Sequence, residues 1–182
     1  MQRKLLFLLA LLLSGCSQTY MFNDDTAYPY NLPPVGSRVV LKQPLTVPGG
    51  ETRIFLQGGQ MMKKSEFDRY KPSCSFELRK LADNPRTIEP DSFITTRVQR
   101  LTQEVVQRSN TPDGLLKVGL DDSSGSPLVT QGYHLWLGSE KQPDVMRMTC
   151  RGAFDDLPRA DPPSLDEVKQ SLGDYAELIL PI

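Results

Sequence analysis

The sequence predicts a mainly β domain, an antiparallel β-sandwich or barrel-like fold with one short C-terminal helix. Two observations support this prediction. From residue 36 onward, the chain divides into short segments of alternating apolar and polar residues, separated by turns rich in Gly, Pro and Asp. Only one segment, close to the C-terminus, combines helical spacing with helix start and stop signals. A chain of 182 residues suits a single such domain, which we place at residues 36–182.

Predicted strands and turns alternate along the first half of this domain. The strands are identified by their alternating residues, and the turns by Gly, Pro, Asn or Asp. In chain order, the predicted elements are a strand at 37–42, a turn at Pro48-Gly49-Gly50, a strand at 52–57 that Gly58-Gly59 ends, a helical turn at 65–70 with Ser65 as its cap, a strand at 74–79 and a loop at 83–91. The first two strands and the turn between them predict a hairpin.

The same signals continue in the second half. Residues 92–108 are β-prone, but their alternation changes phase between Val98 and Leu101, which indicates a bulge or a turn. The other predicted elements are a turn at Pro112-Asp113-Gly114, a strand at 115–120, a loop at 121–127, a hairpin of strands at 133–138 and 145–151, and a last strand at 176–180.

One helix is predicted after Ser164. Ser164 and Glu167 match the capping-box pattern S-x-x-E, and Gly173 fits the position just beyond a helix C-terminus. The apolar residues of this segment fall on one helical face: Leu165, Val168 and Leu172. We therefore expect the helix to pack on the sheet.

The N-terminus has the pattern of an export signal. Arg3 and Lys4 form a short positive region, and residues 5–13 are an unbroken run of Leu, Phe and Ala. A run of about nine apolar residues is too short to cross a bilayer, which needs about 20. The better interpretation is a secretory signal peptide.

Residues Leu13-Ser14-Gly15-Cys16 resemble the lipobox of bacterial lipoproteins. In that family the Cys thiol receives a diacylglycerol, the preceding peptide is removed, and the new amine is acylated. The resemblance covers residues 1–16 and implies a signal peptide at 1–15 and lipidation of Cys16. One acyl chain binds a membrane reversibly, whereas two or more anchor a protein stably. In that family an Asp after the Cys usually retains the protein at the inner membrane, so Ser17 implies sorting to the outer membrane. We expect the domain to face the periplasm, and display on the cell surface is the open alternative.

Residues 16–35 would form a lipidated tether between the membrane and the domain. Residues 17–35 contain four aromatic residues and three Pro without any regular spacing, which is typical of an extended segment. The aromatic side chains would either pack loosely on the domain surface or form a strip that binds a partner.

The charge balance excludes one class of partner. The chain has 21 basic and 22 acidic residues, and loss of Arg3 and Lys4 would leave a mature side-chain charge of −3. A nucleic-acid partner needs a basic surface, so we expect none. Because a mildly acidic domain has little attraction for anionic lipid, the acyl chains would hold it at the membrane.

Lipidation of Cys16 would leave two cysteines, Cys74 and Cys150. Exported proteins fold in an oxidising compartment, where two such cysteines usually pair. Both lie at apolar positions of predicted strands, so we predict a disulfide between them in or near the core. Two buried free thiols, or a redox or metal role, are the alternatives.

The sequence contains no recognisable catalytic constellation. His134 is the single histidine, and we interpret it as a strand residue on a half-exposed face. There is no G-x-S-x-G nucleophile motif. Residues 121–125 lack the Glu that a calcium loop places at its twelfth position, where this chain has Gly132. We therefore expect no enzymatic activity, no catalytic residues, no metal site and no cofactor.

Four arginines at outward-facing strand positions form a candidate binding patch: Arg79, Arg97, Arg147 and Arg151. If their strands are neighbours, these guanidinium groups would bind phosphate groups of lipid or glycan, or an acidic protein face. A solvated, salt-bridged sheet face, with acids such as Glu77 interleaved, is the alternative.

These observations favour a non-enzymatic lipoprotein of the outer membrane, a binding or scaffold module whose partner is an envelope protein. Lipid anchoring raises its effective concentration toward membrane-bound partners. Two other hypotheses stay open: an envelope protein that binds lipid, glycan or peptidoglycan, which a deep cavity would favour, and an enzyme acting on an envelope substrate. The sequence makes no prediction of oligomeric state.

Overall fold

The computed structural model describes residues 32–104 and 128–181. The fold is mainly β, with a curled antiparallel sheet that forms a half-barrel and one short C-terminal helix. The predicted fold class is therefore confirmed. Cys16, residues 17–31 of the tether, the turn at 112–114, the strand at 115–120 and the loop at 121–127 lie outside the described residues.

Eleven strands and one helix occur in residues 32–104 and 128–181. They are β1 (Arg38–Leu41), β2 (Leu45–Val47), β3 (Arg53–Gln57), β4 (Gln60–Met62), β5 (Ser73–Leu78), β6 (Arg86–Ile88), β7 (Asp91–Glu104), β8 (Leu128–Gly138), β9 (Val145–Arg151), β10 (Asp155–Asp156), α1 (Leu165–Leu172) and β11 (Ala176–Ile179). In this part of the chain, no helix has the length and apolar character needed to cross a membrane.

The main sheet has nine strands, all paired antiparallel. Eight of them follow the order β11-β1-β7-β8-β9-β5-β3-β4, and β10 pairs with β8 outside that path. β2 and β6 form a separate two-stranded sheet. Among the central strands, β7, β8 and β9 are consecutive in the chain, whereas β5, which pairs with β9, comes from an earlier part of the sequence.

The apolar core lies against one face of the main sheet. Alternate residues of β5, β8 and β9, such as Phe76, Leu135 and Met148, are fully buried there. Val168 and Leu172 of α1 join the same cluster, so the helix covers part of the sheet as predicted. Each large side chain buried in this way stabilises the fold by about 1.5–3 kcal/mol.

The capping signals of α1 work as the sequence predicts. The Ser164 hydroxyl accepts a hydrogen bond from the Glu167 N–H, and the Glu167 carboxylate accepts one from the Ser164 N–H at 2.8 Å. Gly173 follows the helix with a positive φ of 55°. A Cβ at Gly173 would lie 2.4 Å from the Cα of Gly59, so only glycine allows the helix end to meet the β3–β4 turn.

The predicted hairpin between residues 37–42 and 52–57 is wrong. β1 pairs with β7 and β11, whereas β3 pairs with β4 and β5. Between β1 and β3 the chain forms β2, whose partner β6 lies inside the segment 83–91 that was predicted as a loop. Alternation specifies which face of a strand is buried but not which strand lies beside it.

Residues 65–70 do not form the predicted helical turn. The Gln57 side chain of β3 donates to the carbonyl of Asp68 at 2.8 Å and accepts from the Asp68 N–H at 2.9 Å. These bonds occupy backbone groups that a helical turn would use. Phe67 also stacks on Phe55 at 4.9 Å between ring centroids, which holds the segment against β3.

The other predicted strands that fall within residues 32–104 and 128–181 are present with adjusted ends. The hairpin of β8 and β9 is confirmed, although β8 begins at Leu128, earlier than predicted. The irregularity of β7 is a register shift between Thr95 and Arg97, earlier than the phase change at Val98–Leu101 that indicated it.

Candidate functional site

A disulfide between Cys74 and Cys150 joins two central strands of the sheet. The two residues lie directly opposite each other on β5 and β9, with a Cα–Cα distance of 4.1 Å. Both side chains are buried in the apolar core. This is the predicted pairing, and it places the bridge within one sheet, between strands that are 76 residues apart in sequence.

The opposite face of the sheet carries a row of charged and aromatic side chains. The row crosses five neighbouring strands, and each member is in register with the next: Arg97, Trp136, Arg147, Glu77 and Arg53. Directly opposed residues of this kind have Cβ atoms about 4.5–5.5 Å apart. The row is therefore one continuous network, which we call the charged row.

Glu77 connects the two arginines at one end of the charged row. Its carboxylate accepts hydrogen bonds from Arg53 at 2.9 Å and from Arg147 at 2.6 Å. Burial raises the pKa of Glu77, but the hydrogen bonds and charges of the two arginines outweigh burial and lower the pKa below its usual value. Glu77 therefore stays ionised and neutralises part of the positive charge on this face.

Trp136 lies between Arg97 and Arg147 in the row. The Arg97 guanidinium lies 4.1 Å from the Trp136 ring centroid, and that of Arg147 lies 5.3 Å away. Both distances are within the range of cation–π attraction. These contacts hold the guanidinium groups of Arg97 and Arg147 in place on the sheet.

His134 lies on the same face but is buried, with 8% of its surface exposed, so the expected half-exposed position is wrong. Its Nδ1 atom is 2.7 Å from the Thr149 hydroxyl oxygen. Burial first, and then the positive charges of Arg147 and Arg151, lower the pKa of His134 to about 4. The imidazole is therefore neutral at neutral pH.

The structure gathers three of the four arginines of the predicted patch. Arg97 and Arg147 belong to the charged row, and Arg151 lies further along β9. Arg79 follows the end of β5, and its Nε–H donates to the carbonyl of Pro143 at 3.0 Å. Because Glu77 is interleaved with arginines, this part of the face matches the salt-bridged alternative that the sequence left open.

Arg151 differs from the other arginines of this face. Its Nε–H is buried and has no hydrogen-bond partner, and it forms no ion pair with any residue in 32–104 or 128–181. Burial first, and then the charges of Arg53 and Arg147, lower its pKa below the usual value and outweigh the opposing attraction of the Glu77 carboxylate. A partly buried guanidinium among like charges raises the free energy of the folded protein.

The Arg151 side chain lines a groove of about 480 Å³ on this face. We call it the basic groove. Its cationic lining residues are Arg53, Lys64, Arg69 and Arg151. Its aromatic lining residues are Phe55, Phe67 and Phe154, and the end of β7 adds Gln103 and Glu104.

The curl of the sheet creates this groove. Arg53 lies on β3 and Glu104 on β7, and three strands separate β3 from β7 in the sheet order. At about 4.8 Å per strand, the four strand spacings of a flat sheet would by themselves separate them by roughly 19 Å. Because both line one groove, the polar face of the sheet is concave at this end.

Comparisons with family models, curated proteins and solved structures found no match to this chain. Within the described ranges, no group of three or more His, Cys, Asp or Glu side chains could hold a metal ion. The basic groove is the feature of this face that combines volume, positive charge and a buried N–H group without a partner.

Sequence reasoning found Arg151 but missed the other cations of the groove. Arg53 carries a usable signal, since it alternates with Ile54 and Leu56 and so belongs to the polar face of β3. Lys64 and Arg69 lie outside the strands, in the segment between β4 and β5. Residues outside strands have no alternating pattern from which their position in the fold could be predicted. Their place beside the groove is therefore visible only in the structure.

Proposed function

We propose that this protein is a non-enzymatic lipoprotein of the bacterial outer membrane that serves as a binding module in the cell envelope. Its chain would be anchored through Cys16 and would present the β domain, residues 36–182, to the periplasm. The polar face of the sheet would be the binding surface. The apolar face would be reserved for the core.

One observation of the structure supports a binding role above others. The basic groove concentrates four cationic side chains on a protein with a net charge of −1. A groove of about 480 Å³ lies within the range of small-ligand sites, roughly 300–1,000 Å³. His134, the single histidine, is buried and is not among the residues that line the groove.

Two candidate functions are supported by different parts of this face. The first is recognition of an envelope protein, for which the charged row would supply a surface that contains Arg and Trp. Arg and Trp are enriched among residues that contribute most to protein interfaces. The second candidate is binding of an envelope lipid or glycan, and the size and charge of the groove favour it. Both candidates require the same anchored domain.

The anchor is tested by metabolic labelling with a radioactive fatty acid. We expect the native protein to be labelled and to sediment with membranes, and the Cys16→Ala variant to be unlabelled and released. Labelling that survives the Cys16→Ala substitution would exclude lipidation at this residue.

The membrane is tested separately by density-gradient fractionation. The native protein should be found with the outer membrane, whereas Ser17→Asp should shift it to the inner membrane while leaving the acyl label unchanged. Inner-membrane sedimentation of the native protein would contradict the proposed location but not the anchor.

A further inference from the structure

The size of the basic groove restricts its ligand to a small molecule or to one end of a larger one. A single phosphate ion would fill only a small part of the groove volume of about 480 Å³. A folded protein partner, in contrast, typically covers about 800 Å² of surface, which is more than one groove of this size offers. Phe67 and Phe154 contribute apolar ring surface beside the cations. The lining therefore suits an anionic group attached to a body with an apolar face, such as a sugar ring or a glycerol backbone.

The charges of the groove favour a phosphate group. Arg53 forms an ion pair with Glu77. Lys64, Arg69 and Arg151 form no ion pair with any described residue. Glu104 is the one carboxylate of the lining. Guanidinium groups donate in a planar fork that matches phosphate oxygens, and charge-assisted bonds of this kind are about twice as strong as neutral ones.

Arg151 gives an independent reason to expect an anion. Its guanidinium is partly buried, has an unpartnered Nε–H and is close to the like charges of Arg53 and Arg147, which together with burial outweigh the attraction of Glu77. Because the Glu77 carboxylate already accepts hydrogen bonds from Arg53 and Arg147, a bound anion would supply the acceptor that Arg151 lacks. Protein sites that lower stability in the absence of ligand are typical of functional positions.

We infer that the basic groove binds a phosphate group carried by an envelope lipid or glycan, with Arg151 as the principal contact. This inference rests on the proposed function only for the cellular source of the ligand. The phosphate is the shared chemistry of the two sources, and the sugar or glycerol body would lie against Phe67 and Phe154.

The test is thermal unfolding of the full lipidated protein in an uncharged detergent. Three compounds are added at equal ionic strength: inorganic phosphate, glucose 1-phosphate, and dihexanoylphosphatidylglycerol below its micelle concentration. A ligand that binds only the folded state raises Tm in proportion to its occupancy. We expect glucose 1-phosphate or the phosphatidylglycerol to raise Tm by several degrees, and whichever does so identifies the source. A rise with inorganic phosphate alone would overturn the role of the apolar body.

Arg151→Met carries the decisive comparison. Without ligand, we expect this variant to have a Tm about 3 °C or more above that of the native protein, because a charge without a partner is removed. With ligand, its half-maximal shift should require at least ten times more compound. Arg79→Met is the matched control, since Arg79 is an arginine of the same protein that does not line the groove.

Two results would overturn the inference. One is the absence of a Tm rise with any of the three compounds. The other is an equal loss of ligand response in Arg151→Met and Arg79→Met, which would mean non-specific attraction. Neither result affects the fatty-acid labelling at Cys16, so failure of the groove and failure of the anchor are distinguishable.

Discussion

Substitution of Glu77 by Gln should destabilise the domain more than any other change of a single charge on the sheet. The Glu77 carboxylate is the shared acceptor of Arg53 at 2.9 Å and Arg147 at 2.6 Å, and its side chain is only 10% exposed. Gln has nearly the same shape but no charge. The substitution would therefore leave two guanidinium groups facing each other, with Arg151 close by.

The expected loss follows from the burial of this network. Removal of one partner from a buried ion pair typically costs 3–5 kcal/mol, because the remaining charge is left without compensation. Arg53 is the more exposed partner, with 34% of its side chain exposed, so the lower part of that range applies, about 3 kcal/mol. A loss of this size is a large fraction of the 5–15 kcal/mol that stabilises an ordinary domain.

Urea unfolding followed by circular dichroism measures the loss. With a slope of about 2 kcal/mol per molar urea, the midpoint of Glu77→Gln should fall by roughly 1.5 M. Glu177→Gln is the control, because its ion pair with Lys42 at 2.7 Å joins side chains that are about half exposed, 52% and 51%. Exposed pairs of this kind contribute little, so its midpoint should barely change.

Equal urea midpoints of Glu77→Gln and Glu177→Gln would contradict a stabilising role of the charged row. A double substitution refines the test. Glu77→Gln with Arg147→Gln removes one of the two opposed cations, and should recover part of the loss seen in Glu77→Gln alone. A double variant with the summed loss of the two single variants would show that the residues do not interact.

The remaining predictions concern the cysteines and His134. Replacement of Cys74 and Cys150 by Ser should lower the free energy of unfolding by about 4 kcal/mol, since the bridge joins residues 76 positions apart in sequence. If the protein without substitutions is unfolded in the absence of reductant and a thiol titration finds both cysteines free, the bridge does not exist. Cys16→Ala should abolish acyl labelling, as measured by fatty-acid incorporation. His134 has a folded pKa of about 4 against about 6.5 when unfolded, so the unfolded state gains the proton first as pH falls. The contribution of neutral His134 to the free energy of unfolding is therefore complete above pH 6.5. About 2 kcal/mol of that free energy should be lost between pH 7 and pH 5. Urea midpoints at the two pH values should differ less in His134→Gln, and an identical pH dependence would contradict the low pKa.

Local sequence signals predicted the features that depend on neighbouring residues. The capping pair Ser164 and Glu167 defines the start of α1, because its hydrogen bonds involve residues three apart. The alternation around Cys74 and Cys150 placed both cysteines on the buried face of a strand. The face of each residue follows from a period of two, whatever the neighbouring strand is.

Features that depend on strand order were not predictable in this way. β1 lies between β7 and β11, although the turn at 48–50 favoured a pairing with the next strand. The conformation of residues 65–70 is set by the side chain of Gln57, because its hydrogen bonds to the Asp68 backbone outweigh the local preference for a helical turn. The basic groove depends on the curl of the whole sheet, which brings β3 and the end of β7 together.

Photo-crosslinking in intact cells tests most directly whether the lipid-anchored domain binds an envelope component through its basic groove. Gln103 lines the groove, is exposed and is uncharged, so p-benzoylphenylalanine can replace it without loss of a cation. Leu81, which is 64% exposed and does not line the groove, is the control position.

We expect a discrete adduct from position 103, none from position 81, and loss of the adduct when Cys16 is also replaced by Ala. Mass spectrometry of the adduct would identify a glycan, a lipid or a protein. Adducts of equal yield from positions 81 and 103, or an adduct from position 103 that persists without Cys16, would contradict the claim.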